Sequence, residues 1–145
     1  MQSHLPITRC DGFYTMASGG LGWSMPASVG IALARPKEKI IGLIGDGSSM
    51  YSIQSLWSAA QLRLPITFII LNNRRYAALQ DFASVFGYAK SDPVQGTDLP
   101  AIDLAGLARA QGCEASRVTA ASELGPSLTR ALQSPHPYLL EIEVA

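Results

Sequence analysis

Two short apolar runs, Ile40 to Ile44 and Ile66 to Leu71, bracket a segment of different period. From Ser52 to Leu62, Ile53, Leu56, Trp57 and Ala60 recur at i, i+3, i+4 and i+7. That order is strand, helix, strand, and near-continuous apolar runs of strand length fit strands buried on both faces. The same alternation runs along the chain. Pro26 opens a helix carrying Val29, Ile31 and Leu33, which Arg35-Pro36 stops. Lys39 to Ile44 reads as a strand and Tyr76 to about Phe86 as a helix. Asp103 caps a helix that runs through Gln111 and ends at Gly112. Cys113 to Val118 is a strand, Ser122 to Gln133 a helix and Tyr138 to Val144 a strand, and Phe13 to Met16 reads as one more short strand. Strands alternating with helices predict an α/β fold, a three-layer α/β/α arrangement with a mostly parallel sheet. Gly87 to Ile102 is the longest irregular stretch, a length associated with lids and binding loops.

Composition narrows the class. With 145 residues, 48% hydrophobic and 15% charged, the chain reads as one globular domain rich in core. Eleven basic residues balance eleven acidic ones, and Arg74-Arg75 is the longest basic run, which argues against a nucleic-acid surface or an electrostatic membrane anchor. Met16 to Ala34 is uncharged over nineteen residues, but its four glycines, three serines and proline make it a poor membrane span. No basic, compactly apolar signal stands near Met1. Cys10 and Cys113 have neither metal nor redox spacing, as expected of reduced thiols in a cytoplasmic protein.

The first apolar run ends in Gly45-Asp46-Gly47, and the second ends in Asn72-Asn73. In an open parallel sheet, ligands bind beyond the carboxyl ends of the strands. One strand-helix-strand unit separates the two polar tips, so they can share a site. Magnesium takes hard oxygen donors, commonly one or two from protein and the rest from phosphate and water. Asp46 offers a charged oxygen and an asparagine amide a neutral one. Gly45 and Gly47 let backbone approach a phosphate, Ser48 and Ser49 can donate to it, and a helix amino terminus behind them adds N–H groups. Asp-Gly or Asn-Asn alone is an ordinary turn; the conjunction, Gly-Asp-Gly, 24 residues, then Asn-Asn, is far more specific. A metal-bridged diphosphate is the ligand it implies. Gly19 to Ser24, "GGLGWS", lacks the spacing of a dinucleotide fingerprint.

"GDGSSMYSIQSLWSAAQLRLPITFIILNN" resembles the motif of the thiamin-diphosphate-dependent enzymes. The likeness extends from about Gly12 to Val144 through "SGGLGWSMPASVGIAL" and "NNRRYAALQDFA", and points to the carboxy-terminal, diphosphate-binding domain of 2-oxo-acid decarboxylases of the benzoylformate decarboxylase type. The resemblance implies thiamin diphosphate and Mg2+ as cofactors and the thiamin-diphosphate-binding fold. It implies that Asp46, the Asn73 side chain and the main-chain oxygen of Arg75 ligate the metal. Gly47, Ser48 and Tyr76 would hold the diphosphate, with Gly45 and Gly20 at the cofactor. The Gly19 carbonyl would accept from the aminopyrimidine, and Leu21 would wedge beneath the cofactor. Leu79 and Phe82 match substrate-pocket positions; core packing on the Tyr76 helix is the competing reading. Arg74-Arg75 stands where the benzoylformate enzymes carry small residues, and Thr15 where they carry an aromatic.

The family's activating glutamate lies in a pyrimidine-binding domain of the same or a neighbouring subunit. None of Glu38, Glu114, Glu123, Glu141 and Glu143 lies near the motif, so no catalytic residue is expected here. His4 and His136 are expected at surface or satisfied positions. The resemblance places a further strand and a hydroxyl-bearing loop before the point matching Met1. Residues 1–145 are thus expected to form one domain, the last quarter of a longer homo-oligomeric enzyme (dimer or tetramer) acting on a small 2-oxo acid, and inactive alone. An acetolactate-synthase-like carboligase, or a non-catalytic phosphate- or nucleotide-binding module, are the other readings.

Overall fold

The computed structural model describes residues 6–89 and 92–144. Four strands, β1 (Ile40–Gly45), β2 (Ile66–Asn72), β3 (Glu114–Val118) and β4 (Tyr138–Glu143), form one sheet in the order β1-β2-β4-β3. Each pairing is parallel, so the mostly parallel sheet expected is wholly parallel among the described residues. The helices are α1 (Ser24–Ala34), α2 (Asp46–Ser49), α3 (Ser55–Gln61), α4 (Ala77–Phe82), α5 (Leu104–Ala110) and α6 (Ala121–Gln133), with a 3₁₀ turn at Ala83–Phe86 after α4.

Alternation along the strands builds two faces. Ile44, Ile66, Phe68, Ile70 and Leu139 lie on one, under Met25 and Ala32 of α1, Leu56 and Ala59 of α3, and Leu104 and Ala108 of α5. Val118, Tyr138 and Leu140 lie on the other, against Leu128 and Ala131 of α6. Thr67 fastens α6 to β2 by donating to the Ala131 carbonyl at 2.8 Å. Phe68 is fully buried, so truncating it to alanine should cost about 3–5 kcal/mol. The three layers are present, but among the described residues α6 alone forms the third. Ile41, Leu43 and Leu71, on the α6 face by register with Thr67 and Ile69, remain exposed over β1 and β2.

Several element boundaries differ from the sequence reading. Phe13 to Met16 is not a strand; its side chains are exposed, and the Tyr14 ring lies 5.9 Å from the Arg35 guanidinium. An apolar run becomes a strand only with a ladder partner, and here the segment lies between turns closed by Gly12 N–H to Arg9 O and Gly19 N–H to Met16 O. The helix attributed to Pro26 starts two residues earlier at Ser24, because a proline in the first turn has no N–H that the helix needs. The helix expected from Ser52 starts at Ser55, after turns over residues 51–54. Tyr76 to Phe86 is helical only as α4 and then a 3₁₀ turn, closed by Gly87 at φ +86°. Asp103 caps α5 as expected, its Oδ1 accepting from Gly106 N–H at 2.8 Å, and Gly112 ends it at φ +88°.

The long connection before α5 is braced rather than free where it is described. Tyr76 N–H donates to Thr97 O and Leu99 N–H to Arg74 O, both at 2.7 Å, forming an antiparallel bridge between Arg75 and Asp98. The segment that follows the Asn72-Asn73 tip is therefore fixed from outside the sheet.

Candidate functional site

The parallel register pairs Gly45 with Leu71, so Asp46 and Asn72 leave adjacent strands at the same level. Adjacent strands lie about 4.8 Å apart. The two polar tips of the sequence reading are thus neighbours at the carboxyl edge.

Asp46 starts α2 and is 4% exposed. Its main-chain carbonyl accepts the Ser49 hydroxyl at 2.7 Å and Met50 N–H at 3.3 Å, which fixes the turn. Among the described residues, its Oδ2 is the buried side-chain oxygen or nitrogen without a hydrogen-bond partner. A buried carboxylate lacking a partner is costly, and such sites are ordinarily completed by a cation or a donor. Among the described residues no three His, Cys, Asp or Glu side chains gather as a metal cluster, so a cation here would take its other oxygens from amides, carbonyls, water or a ligand. That donor set is hard and suits magnesium rather than zinc.

Asn73 is half-buried, and its Oδ1 accepts from Arg75 N–H at 3.3 Å, closing the turn that carries both. The bridge to Asp98 uses the Arg74 carbonyl and the Tyr76 N–H. Among the described residues the Arg75 carbonyl accepts no backbone hydrogen bond, which leaves it available as a ligand. The arginine side chain itself is exposed.

Gly47 is buried against Tyr76, whose ring a Cβ at position 47 would strike. Nothing lies within 4 Å of a Cβ built at Gly45 or Gly19, so both border open space. Tyr76 meets Tyr51 edge to face, ring centroids 6.4 Å apart. Desolvation holds the Tyr76 phenol above its ordinary pKa, with Tyr51 and Asp46 adding to the effect, so it stands as a protonated donor. The helix directly behind the motif is shorter than the sequence suggests: α2 is a single turn, which offers a few free N–H groups but not the dipole of a long helix.

Gly19 at φ +65° and Gly20 lead to Leu21, which is 46% exposed at the tip of its loop. The loop is tied to the Asp46 segment through Gly22. Gly22 N–H donates to Ser48 Oγ at 3.1 Å, and Ser52 Oγ donates to Gly22 O at 2.7 Å. Ser48 thus accepts from the loop and keeps its own hydrogen for another acceptor. Ser52 was not among the residues singled out in the sequence; its partner is 30 positions away and no local pattern marks it.

Leu79 and Phe82 lie on α4, which buries none of its residues, and they are 48% and 55% exposed. They are not core residues. Phe82 packs edge to face on Phe86, centroids 5.6 Å apart. His136 is exposed, and His4 lies outside the described residues. Of the glutamates, Glu141 departs most from expectation, being completely buried on β4 within reach of Asn72.

Comparison with known proteins decides the family. Residues 1–142 match the model of the thiamine pyrophosphate enzyme C-terminal TPP-binding domain. This chain belongs to that family. Thiamine pyrophosphate is thiamin diphosphate, the ligand class implied by the paired strand tips. Benzoylformate decarboxylase of Pseudomonas aeruginosa is 44% identical over 130 residues, 90% of this chain and 24% of that protein. The acetolactate synthase isozyme 2 large subunit of Escherichia coli is 30% identical over 142 residues, 97% of this chain and 26% of that protein. The crystal structure of benzoylformate decarboxylase from Polynucleobacter necessarius superimposes with a TM-score of 0.91 at 32% identity, covering 100% of this chain and 28% of that one. The TPP-binding domain described here thus spans about a quarter of the length of the curated relatives it matches.

Proposed function

We propose that this TPP-binding domain holds magnesium and thiamin diphosphate in a 2-oxo-acid decarboxylase similar to benzoylformate decarboxylase. The observation that carries the reading is Asp46: a carboxylate 4% exposed, with an unpartnered oxygen, at the strand tip beside Asn72-Asn73. Asp46, the Asn73 amide oxygen and the Arg75 carbonyl hold the cation. Gly45 and Gly47 admit the diphosphate, and Ser48 and Tyr76 donate to it. The Gly19 carbonyl receives the aminopyrimidine, Gly20 permits close approach, and Leu21 supports the two rings from below. Leu79 and Phe82 line the substrate side.

When bound, thiamin diphosphate supplies a nucleophilic carbon and an electron sink for cleavage beside a carbonyl. The chain's own contribution is to hold the cation that offsets the diphosphate charge, to fix the diphosphate's position and to set the height of the rings. A share of about a quarter of each relative supports a multidomain enzyme in which a pyrimidine-binding domain supplies the activating glutamate. The exposed Ile41, Leu43 and Leu71 support packing against further domains or a second subunit. Cys10 and Cys113 are both free thiols, in keeping with a cytoplasmic enzyme; among the described residues no helix is long and apolar enough to cross a membrane.

A carboligase is the second reading, favoured by the likeness to the Escherichia coli acetolactate synthase subunit. The higher identity to benzoylformate decarboxylase favours decarboxylation. Thiamin diphosphate and ATP should be titrated into the assembled protein with and without Mg2+. Magnesium-dependent binding of thiamin diphosphate alone is expected; equal binding of ATP would overturn the reading in favour of a general phosphate module. Supplying one 2-oxo acid, then two, separates the enzymes: carbon dioxide and an aldehyde mark the decarboxylase, a joined product the carboligase.

A further inference from the structure

Glu141 carries a charge in a place where nothing in the proposed reaction needs one. It is 0% exposed, on β4 opposite Ile70 of β2, on the face covered by α5. Its Oε1 accepts Asn72 Nδ2 at 2.7 Å and Arg117 Nη2 and Nε at 2.8 and 3.1 Å, and its Oε2 accepts Ala105 N–H at 3.3 Å. A buried ion pair of this kind is weak evidence for stability, since a well-packed apolar replacement is often as good. Its geometric consequence is more specific.

An asparagine amide can be turned either way, and its partners decide which. An anionic acceptor at Glu141 admits only the NH2 end of Asn72. The Asn72 oxygen is thereby aimed at the chain beyond the strand, where Oδ1 accepts Arg74 N–H at 3.0 Å. Arg74 sits at φ +59°, a left-handed conformation that a residue with a long side chain rarely adopts unless held. Asn73 and Arg75, the two proposed ligands from the turn after this strand, flank it. A cavity of about 320 Å³, lined by Asn72, Arg74, Leu99, Ala101, Ile102 and Arg117, lies beside this turn. One flank of the turn therefore borders open space rather than packed side chains, and directional hydrogen bonds hold its shape on that side.

We infer that Glu141 is a positioning residue for the metal: it orients the Asn72 amide, which pins Arg74 left-handed and so presents the Asn73 oxygen and the Arg75 carbonyl toward Asp46. The inference rests on the proposed metal ligands. Magnesium demands near-ideal octahedral geometry at about 2.0–2.1 Å, whereas calcium accepts looser arrangements at about 2.3–2.6 Å. A slackened turn should therefore cost magnesium more than calcium.

The experiment uses the assembled protein without cofactor. Half-saturating concentrations of Mg2+ and of Ca2+ for retention of thiamin diphosphate are measured by equilibrium dialysis, beside the melting temperature of the metal-free form. Glu141→Met removes the acceptor that orients Asn72 while keeping the volume, and should raise the Mg2+ requirement by about tenfold or more, with a clearly smaller rise for Ca2+. Asn72→Ala removes both the bond to Glu141 and the cap on Arg74, and should shift the ratio in the same sense if the methionine variant fails to fold. Arg117→Gln leaves the Glu141–Asn72 bond in place and should lower the melting temperature without changing the Mg2+/Ca2+ ratio. An unchanged ratio in a folded Glu141 or Asn72 variant, or equal losses for both ions, would overturn the inference. Retention by the unaltered protein that is indifferent to metal would instead overturn the metal assignment beneath it.

Discussion

The Ser52 hydroxyl donates to the Gly22 carbonyl at 2.7 Å, in a buried bond that joins the Leu21 loop to the segment following Asp46. Gly22 sits at φ +83°, and a Cβ there would come within 2.6 Å of the Tyr51 Cβ. The loop that would support the cofactor rings and the segment that would hold its diphosphate are thus one unit. Ser52→Ala should remove about 1 kcal/mol of stability and lower kcat more than it raises the cofactor requirement. Thermal melts and steady-state kinetics at saturating thiamin diphosphate would check it; a normal kcat would separate the bond from the chemistry.

Leu21 should act on turnover rather than retention. It is 46% exposed, so truncation removes little core packing. Leu21→Ala should leave cofactor affinity within a few-fold and reduce kcat by about tenfold or more, since small displacements of reacting groups cost rate. Normal turnover with lost cofactor would contradict the assignment.

The two thiols should differ sharply. Cys10 is exposed, whereas burial pushes the Cys113 thiol up to about 11, and its Sγ donates to the Leu56 carbonyl at 3.4 Å. The folded state therefore keeps a proton that the unfolded state releases near pH 9.0. This contribution to stability is complete below that pH and is lost as pH rises toward 11. A maleimide at neutral pH should label one thiol per folded chain and two per chain in denaturant. Equal labelling rates in the folded state would contradict the burial.

The strands and their polar tips were legible because local signals carry them. An apolar run of strand length, Ile66 to Leu71, needs no distant partner to be recognised, and Gly45-Asp46-Gly47 marks its neighbour's end. Phe13 to Met16 shows the limit of that logic, since the same kind of run without a ladder partner stays irregular. The supports of the site were not legible. Ser52 acts on Gly22 across 30 positions, and Glu141 acts on Asn72 across 69. Each is an ordinary residue in its own neighbourhood, and only the folded chain gives it a partner. Leu79 and Phe82 were ambiguous for a related reason: helical spacing does not say what covers a helix face, and α4 has none of its residues buried.

On its own the chain should associate with itself. Among the described residues β1 is a sheet edge, and Ile41, 53% exposed, lies beside Leu43 and Leu71 on the part of the α6 face that the helix leaves uncovered. Light scattering on residues 1–145 should show concentration-dependent oligomers, with thiamin diphosphate bound weakly or not at all. A monodisperse monomer that binds the cofactor tightly would mean that no further domain is needed to complete the site.

The most direct test of the account is calorimetric titration of thiamin diphosphate and Mg2+ into the assembled protein with Asp46 intact and with Asp46→Ala. The unpartnered Asp46 oxygen is a liability to the metal-free fold and, on this account, an asset only once a cation arrives. The substitution should weaken magnesium-dependent cofactor binding by about two to three orders of magnitude while leaving the metal-free melting temperature unchanged or higher. Asn73→Ala, which removes a neutral ligand that water can replace, should cost only about tenfold. Unchanged cofactor affinity in a folded Asp46→Ala protein would contradict the claim that this carboxylate holds the metal.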